Sequence, residues 1–418
     1  MIYIIVSIVG ILTNSRKSSI CFFLFMFLLA SSIGAYLVGR QPSMDLDVLF
    51  YSLYTGVLLY ILFSSFNSYS GLKQYSSSDI ITKRLAVVER FASILGILAL
   101  CVFIYIFIRV FSSMMIGEII VQEYKNEGGA ADVFKTLVPG PVLTISNFIS
   151  PIGFLFLSLH FHYLIEKRVK KSIKFFLLSL IIVFSGLIAL SRSATVAYIL
   201  VYICTFISIS PLLEPNLKKK IVRYIAFCGI LVLSILLIIS LTRFSDHYTK
   251  NSQNTALINE DENPALFSTI DYLSQWEENG PIVLGMHKIE NRYMGMYNSC
   301  GLAVLLQQKI EGDSKVTESR NRFFYDVFGM QVTKFHGVIA RLVYDFGFYG
   351  TVVFIIVLSL IVIYLGPYNS VLRFENLLFV PLLLRIACVF FSGNALSSWS
   401  LDIAIIFNII VWIIIKKK

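Results

Sequence analysis

The sequence predicts an all-α polytopic membrane protein, and three features of the chain lead to this fold class. Hydrophobic residues occupy 57% of the 418 positions, only 14% of the residues are charged, and the mean hydropathy is +0.78. This composition lies far from that of an ordinary globular domain. Long apolar runs recur along the chain, and lysine and arginine concentrate in alternate connections between them.

A membrane-spanning helix needs about 20 apolar residues to cross a hydrocarbon core about 30 Å thick. Ten runs are long enough: Ile20–Val38, Val48–Phe66, Phe91–Phe111, Pro141–Leu164, Ile173–Leu190, Ala194–Leu213, Ile221–Leu241, Gly337–Leu365, Asn376–Phe391 and Ser400–Ile415. The shorter run Ile2–Leu12 crosses if the bilayer thins locally or neighbouring helices support it. It lacks the basic region and cleavage site of a signal peptide. About eleven transmembrane helices are therefore expected.

The basic residues predict the orientation, because lysine and arginine in short loops are retained on the cytoplasmic side. One set of alternate connections, including the C-terminal end, holds nineteen of them, whereas the other short connections hold four. The C-terminus and the EKRVKKSIK and KKKIVR loops are therefore expected in the cytoplasm. The net charge of +10 follows from this topology, so no nucleic-acid partner is predicted.

One long hydrophilic segment, residues 242–336, falls on the outer side in this orientation. It divides the chain into an N-terminal bundle of about eight spans (1–241), a large external loop (242–336) and a C-terminal bundle of about three spans (337–418). The loop carries nine basic and twelve acidic residues. Short amphipathic helices are expected in it. In NPALFSTIDYLSQWEENGP, Leu266, Ile270, Leu273 and Trp276 form one apolar stripe, and Gly280–Pro281 should end the helix.

Familiar cofactor and metal motifs are missing from the sequence. It has no CxxC, HExxH, Walker loop or GxGxxG, which argues against structural zinc, zinc-protease chemistry, ATP-driven transport and dinucleotide binding. Asp45 and Asp47 have the spacing of a metal-binding D-x-D pair, but they suit the start of a helix better. No metal or other cofactor is therefore expected.

Several ionisable residues lie near the ends of apolar runs. Arg192 stands in a three-residue polar break between two spans, where it either reaches the membrane interface or binds an anion. Arg109 and Arg385 are expected to pair between helices. His160 and His162 are expected to be satisfied inside the bundle.

The stretch KFHGVIARLVYDFGFYG carries a further polar group to the start of a late span. If a helix begins near Gly337, then Arg341, Tyr344 and Asp345 are three and four residues apart on one face and can contact each other. His336 lies at or before the first turn.

These residues carry a family resemblance. The order His336, Leu342–Val343 and Asp345–Phe346–Gly347–Phe348–Tyr349–Gly350 resembles the pattern H-N-x-x-L followed by acidic-x-G-[LI]-x-G of O-antigen ligases. The D-F-G-F-x-G form is similar to the Wzy-type polymerases of bacterial surface polysaccharides. ALSRSATVAYIL, around Arg192, resembles the S-R-[SG]-[AG] turn of both groups. Gly337 replaces the usual Asn of the ligases, which favours the polymerases.

The resemblance implies an all-helical GT-C-like fold and a glycosyltransferase in the bacterial cell inner membrane, with the large loop in the periplasm. The implied reaction joins undecaprenyl-diphosphate-linked repeat units of O-antigen. A chain-length regulator and a flippase are possible partners, together with membrane lipids. Two alternatives stay open: an O-antigen ligase that transfers polysaccharide to lipid A core, and a non-enzymatic flippase or transporter of lipid-linked oligosaccharide.

The chemistry of glycosyl transfer assigns roles to the polar residues. A sugar hydroxyl attacks an anomeric carbon while a diphosphate leaves, so a base near neutral pKa is needed and His336 is the candidate. Arginine binds phosphate oxygens in a bidentate manner without losing its proton, which makes Arg192 the candidate for the diphosphate. The candidate second contacts with the substrate are Arg341, Arg320, Arg322, Arg243, Tyr344 and Asp345.

Overall fold

The structure is a computed structural model of the chain and describes residues 2–14, 18–39, 46–77, 79–116, 137–188, 192–223, 234, 270, 273–285, 337–392, 396 and 398–416. Nearly all of these residues are helical. The helices are α1 (Ile2–Asn14), α2 (Ser19–Leu37), α3 (Leu46–Ser65), α4 (Asp79–Met115), α5 (Gly140–Ile149), α6 (Gly153–Ile165), α7 (Val169–Ser179), α8 (Ile181–Leu187), α9 (Arg192–Ile209), α10 (Trp276–Gly285), α11 (Val338–Tyr364), α12 (Phe374–Leu377), α13 (Val380–Cys388) and α14 (Trp399–Lys416).

Seven helical segments among the described residues are long and apolar enough to cross a membrane. They are Ser19–Leu37, Leu46–Tyr69, Lys83–Ser113, Gly140–Ile165, Ala194–Leu212, Asp345–Tyr364 and Trp399–Lys416. Each overlaps one of the ten predicted runs, so the membrane-protein fold class is confirmed. The predicted run Ile221–Leu241 lies mostly outside the described residues, and α1, with 13 residues, is short for a span. The total of about eleven spans stays a prediction.

Two predicted spans are interrupted, and side-chain hydrogen bonds lie at both breaks. Within Ile173–Leu190 the chain breaks at Leu180, next to Ser179, whose Oγ donates to the carbonyl oxygen of Phe176 at 2.7 Å. A serine that bonds back to its own helix competes with the regular ladder. The run Asn376–Phe391 breaks between α12 and α13.

At that second break the carbonyl oxygen of Leu378 accepts hydrogen bonds from Ser158 Oγ at 3.2 Å and from Asn408 Nδ2 at 2.6 Å. A carbonyl group that leaves a helical ladder inside an apolar core must find another donor. These two side chains supply it, so the Leu378 carbonyl stays hydrogen-bonded although the span is interrupted.

The chain forms two compact units, each made of several segments. Unit 1 comprises Met1–Leu72, Leu266–Ser370 and Leu383–Asp402, and unit 2 comprises Lys73–Ala265, Val371–Leu382 and Ile403–Lys418. The predicted division into 1–241, 242–336 and 337–418 concerns membrane topology and not compact units, and it stays a prediction.

In unit 1, α1, α3 and α11 run in one direction and α2 runs in the opposite direction, so that their ends sort into two groups. At one end, which we call the Asn14 end, Asn67 donates a hydrogen bond to Asn14, and Gly366 lies against Ser68. At the opposite end, which we call the Trp276 end, Tyr3 of α1 and Gly337 at the start of α11 both lie against Trp276.

In unit 2, α4 packs with α5 to α8 around an apolar core that includes Phe103, Phe156 and Phe175. The only described strands, β1 (Gln74–Ser76) and β2 (Val371–Arg373), pair in parallel with Tyr75 opposite Leu372. They add a short ladder to the otherwise all-α fold.

The two buried histidines of unit 2 are satisfied, as expected. His160 Nδ1 lies 2.9 Å from Ser172 Oγ and its Nε2 lies 3.1 Å from the hydroxyl of Tyr202. His162 Nδ1 lies 2.6 Å from the hydroxyl of Tyr75. These contacts account for both side chains as structural groups of the bundle interior.

Candidate functional site

The stretch KFHGVIARLVYDFGFYG leads into α11, and Arg341 and Asp345 lie in the first two turns of this helix. Arg341 is 4% exposed and Asp345 is fully buried. Their spacing of four residues places them on one face of the helix. Tyr344 lies in the same helix, but its side chain is not among the described ones. The helix face that was predicted to carry Arg341, Tyr344 and Asp345 therefore bears two buried ionisable residues, Arg341 and Asp345.

The start of α11 is anchored by backbone geometry. Gly337, which follows His336 in the sequence, has φ 77° and lies outside the helix as its N-cap. The next amide, Val338 N, donates a hydrogen bond of 2.8 Å to the carbonyl oxygen of Phe390. A Cβ atom on Gly337 would lie 3.3 Å from the ring of Trp276. Glycine thus supplies both the positive φ and the close approach to Trp276.

Helix α10 of the large loop docks on the same end of unit 1. The Trp276 ring lies 4.8 Å from that of Tyr3 and 5.3 Å from that of Phe390, measured between centroids. Its Nε1 donates to Ser31 Oγ at 2.9 Å, and that hydroxyl donates to the carbonyl oxygen of Leu273 at 2.8 Å. The predicted apolar stripe of this segment therefore ends in a buried tryptophan that is held by α2.

Glu277 is buried beside this tryptophan, and sequence reasoning missed it. Its carboxyl group is 4% exposed and accepts a hydrogen bond of 2.5 Å from Ser32 Oγ. Burial raises the pKa of Glu277 to about 7, and the hydrogen bond from Ser32 opposes that shift. The group can therefore gain or lose a proton near neutral pH. The only sequence signal was the position of this acid directly after the last residue of the apolar stripe.

The predicted end of this helix at Gly280–Pro281 is wrong. α10 continues to Gly285 with Pro281 inside it, although proline removes one hydrogen bond of the ladder. Gly280 and Pro281 are both buried. Packing of α10 within unit 1 therefore outweighs the local preference of these two residues to stop a helix.

A second pair of charged residues lies in the same unit. The negative charge of Asp402, in the first turn of α14, interacts electrostatically with half-buried Arg385 near the end of α13. This agrees with the expected interhelical pairing of Arg385. Arg109, by contrast, is exposed on α4, and no ion pair to it is found within the described parts of the chain.

Exposed tyrosines on α11 indicate where a membrane boundary would lie. Tyr349 is 91% exposed and Tyr364 is 82% exposed. The separation of fifteen positions along the helix corresponds to roughly 22 Å. Tyrosines favour both interfaces of a bilayer. The segment that bears Arg341 and Asp345 precedes Tyr349, so it lies at the boundary and not at the centre of the span.

The remaining predicted site residues are not tested. Arg192 is the first residue of α9 in unit 2, but its side chain lies outside the described set. His336, Arg320, Arg322 and Arg243 also lie outside the described residues. No group of three or more His, Cys, Asp and Glu that could hold a metal ion occurs among the residues that the structure describes.

The comparisons with known proteins identify no relative. The sequence matches no protein-family model, no curated protein and no solved structure. The class that the fold defines is therefore a polytopic all-α membrane protein, and unit 1 contains three buried ionisable residues, Glu277, Arg341 and Asp345.

Proposed function

We propose that the chain is a polysaccharide polymerase that joins undecaprenyl-diphosphate-linked repeat units by glycosyl transfer at the periplasmic face of the bacterial inner membrane. The observation that carries the proposal is the buried pair Arg341 and Asp345 at the head of α11. This helix bears the stretch that resembles the polymerases. Ionisable side chains at a membrane boundary cost stability, and they are typical of functional sites.

The position of Glu277 and of the start of α11 supports an extracytoplasmic site. Arg16 and Lys17 directly follow Asn14 in the sequence. By the distribution of basic residues, the Asn14 end of unit 1 faces the cytoplasm. The Trp276 end, where Glu277 and the start of α11 meet, then faces the periplasm. Lipid-linked repeat units present their sugars on that side in the proposed reaction.

The proposed reaction needs little covalent chemistry from the protein. A sugar hydroxyl of one repeat unit attacks the anomeric carbon of another, the new glycosidic bond forms, and the lipid diphosphate leaves with the bonding electrons. His336 takes the hydroxyl proton. Arg192 binds the diphosphate, whose negative charge grows as the bond breaks. Arg341 adds a second positive charge at the head of α11.

The test is reconstitution of the full chain in lipid vesicles with lipid-linked repeat units extracted from cells that lack the protein. A ladder of products that lengthens by whole repeat units supports the polymerase. Transfer of the glycan to added lipid A core, without a ladder, would identify a ligase. Movement of the intact lipid-linked unit across the bilayer, without a new glycosidic bond, would identify a transporter.

A further inference from the structure

The contact between α10 and α2 depends on three side-chain hydrogen bonds. Ser31 donates to the carbonyl oxygen of Leu273, Trp276 donates to Ser31, and Ser32 donates to Glu277. Trp276 is also enclosed between the rings of Tyr3 and Phe390. Because α10 belongs to the large loop, these contacts fix part of that loop to the helices of unit 1.

Glu277 is the ionisable member of this contact, and its surroundings favour the neutral form. Burial removes the water that would stabilise a carboxylate. Ser32 donates the one hydrogen bond to it found among the described residues, and no lysine or arginine of that set forms an ion pair with it. The positive charge of the N-terminus acts on Glu277 and favours the carboxylate, but the cost of burial outweighs it, so the group tends to bind a proton.

Tyr3 of α1 and Ser52 of α3 add two buried hydroxyl groups near this contact. Tyr3 lies within electrostatic range of Glu277, and its hydroxyl is close to those of Ser52 and Thr55. In the described part of the chain, Tyr3 Oη and Ser52 Oγ are buried without a hydrogen-bond partner of standard geometry. A hydroxyl group both donates and accepts hydrogen bonds, so these two groups do not by themselves select either protonation state of Glu277.

We propose that Glu277 is a proton-binding site whose protonation locks α10 of the large loop onto α1, α2 and α3 at the Trp276 end. The ligand is a single proton, taken from the solvent on the side of the large loop. With the proton bound, Glu277 is neutral and keeps the hydrogen bond from Ser32. Without it, a carboxylate is enclosed in an apolar contact, and the docked arrangement weakens. This inference does not depend on the proposed polymerase reaction.

The charge that acts most directly on Glu277 is that of the N-terminal amino group. Among the described residues, the other titratable or charged groups on the elements around Glu277 are Tyr3 on α1, Tyr36 on α2, Asp47, Tyr51 and Tyr54 on α3, Glu278 on α10 itself, Arg341 and Asp345 on α11, and Arg385 and Asp402 on α13 and α14. Of the titratable groups in that set, Glu277 alone is both buried and shown hydrogen-bonded across the contact between α10 and α2.

The sign of the pH dependence follows from the raised pKa. The pKa is about 7 in the docked state and has the ordinary value of 4.5 when α10 is released. Docking is therefore strongest below pH 4.5 and weakens as the pH rises through 7. With these two pKa values, the equilibrium constant for docking of α10 falls roughly 70-fold between pH 5 and pH 8.5.

The test is hydrogen exchange of peptides that cover residues 273–285, measured by mass spectrometry on the full-length protein in lipid nanodiscs at pH 5 and pH 8.5. After correction for intrinsic exchange rates, we expect protection of the wild-type peptides to be roughly 50- to 100-fold higher at pH 5. Glu277→Gln, which has nearly the same shape and no charge, should show the same protection at both pH values. Its protection at pH 8.5 should exceed that of the wild type.

Two further variants complete the experiment. Glu278→Gln removes the neighbouring charge and should keep the wild-type pH dependence. Ser32→Ala removes the hydrogen bond that stabilises the carboxylate, so the pH at which α10 loses protection should rise. This variant tests the site even if Glu277→Gln does not fold. Protection that is equal at both pH values in the wild type, or a pH dependence that survives in Glu277→Gln, would overturn the proposal.

Discussion

Tyr54 of α3 donates a hydrogen bond of 2.6 Å to the carbonyl oxygen of Phe348, one residue after α11 departs from helical geometry at Gly347. The Phe348 ring also lies 5.1 Å from that of Tyr54, edge to face, and stacks with Tyr51. Side chains of α3 thus hold the break that separates the polar head of α11 from its apolar span.

The first prediction concerns the conformation of Gly347. Its φ of 69° and ψ of 177° lie in a region that is essentially restricted to glycine. Gly347→Ala should therefore lower the free energy of unfolding by about 1–3 kcal/mol, read as a lower Tm of the purified protein. The control is Gly140→Ala, because a Cβ at Gly140 meets no atom within 4 Å. Equal Tm values for the two variants would contradict the prediction.

The second prediction concerns the hydrogen bond that supports the break. Tyr54→Phe keeps the ring and removes the donor to Phe348, which should cost about 0.5–1.5 kcal/mol of stability. Thermal unfolding checks this value. Tyr349→Phe removes an exposed hydroxyl from α11 and should leave Tm unchanged. A loss of stability in Tyr349→Phe as large as that in Tyr54→Phe would mean that the hydrogen bond contributes nothing specific.

The third prediction concerns orientation. The distribution of lysine and arginine predicts that a reporter fused after Lys171 or after Lys418 is cytoplasmic, and that one inserted near Asn251 or Gly312 is external. Paired reporters that are active on opposite sides of the membrane measure this directly. Periplasmic activity of the Lys418 fusion would reverse the orientation and place the Trp276 end in the cytoplasm.

The fourth prediction concerns Arg192. A lysine reaches the membrane interface as well as an arginine does, but it cannot bind two phosphate oxygens with a planar pair of donors. Arg192→Lys and Arg192→Ala should therefore both lose most polymer and accumulate single repeat units. Their abundance in the membrane should stay normal. Arg109→Lys, at an exposed arginine of α4, should make polymer normally. Normal polymer from Arg192→Lys would leave Arg192 as an interfacial residue.

The fifth prediction concerns His336. A positioned base contributes roughly 100- to 10,000-fold to rate, and because diphosphate is a good leaving group, the lower part of that range is expected here. His336→Ala should slow polymer formation in vesicles accordingly, whereas His287→Ala, at another histidine of the large loop, should not. Polymer of normal amount and length from His336→Ala would remove this histidine from the mechanism.

Part of the candidate site was visible in the sequence. The i to i+4 spacing of Arg341 and Asp345 was apparent, because helical geometry follows from local sequence. The burial of Glu277 was not apparent. It results from residues about 245 positions away along the chain, Ser31 and Ser32, and no local pattern connects them to α10.

The sequence by itself determined the fold class and most of the spans, because the length and apolarity of a membrane-crossing helix are local properties. The tertiary structure alone decided where helices break or continue. Ser158 and Asn408 satisfy the Leu378 carbonyl, so a predicted span divides there, and burial carries α10 through Pro281. In each case the deciding energy comes from groups distant in sequence, which meet only after the helices have packed.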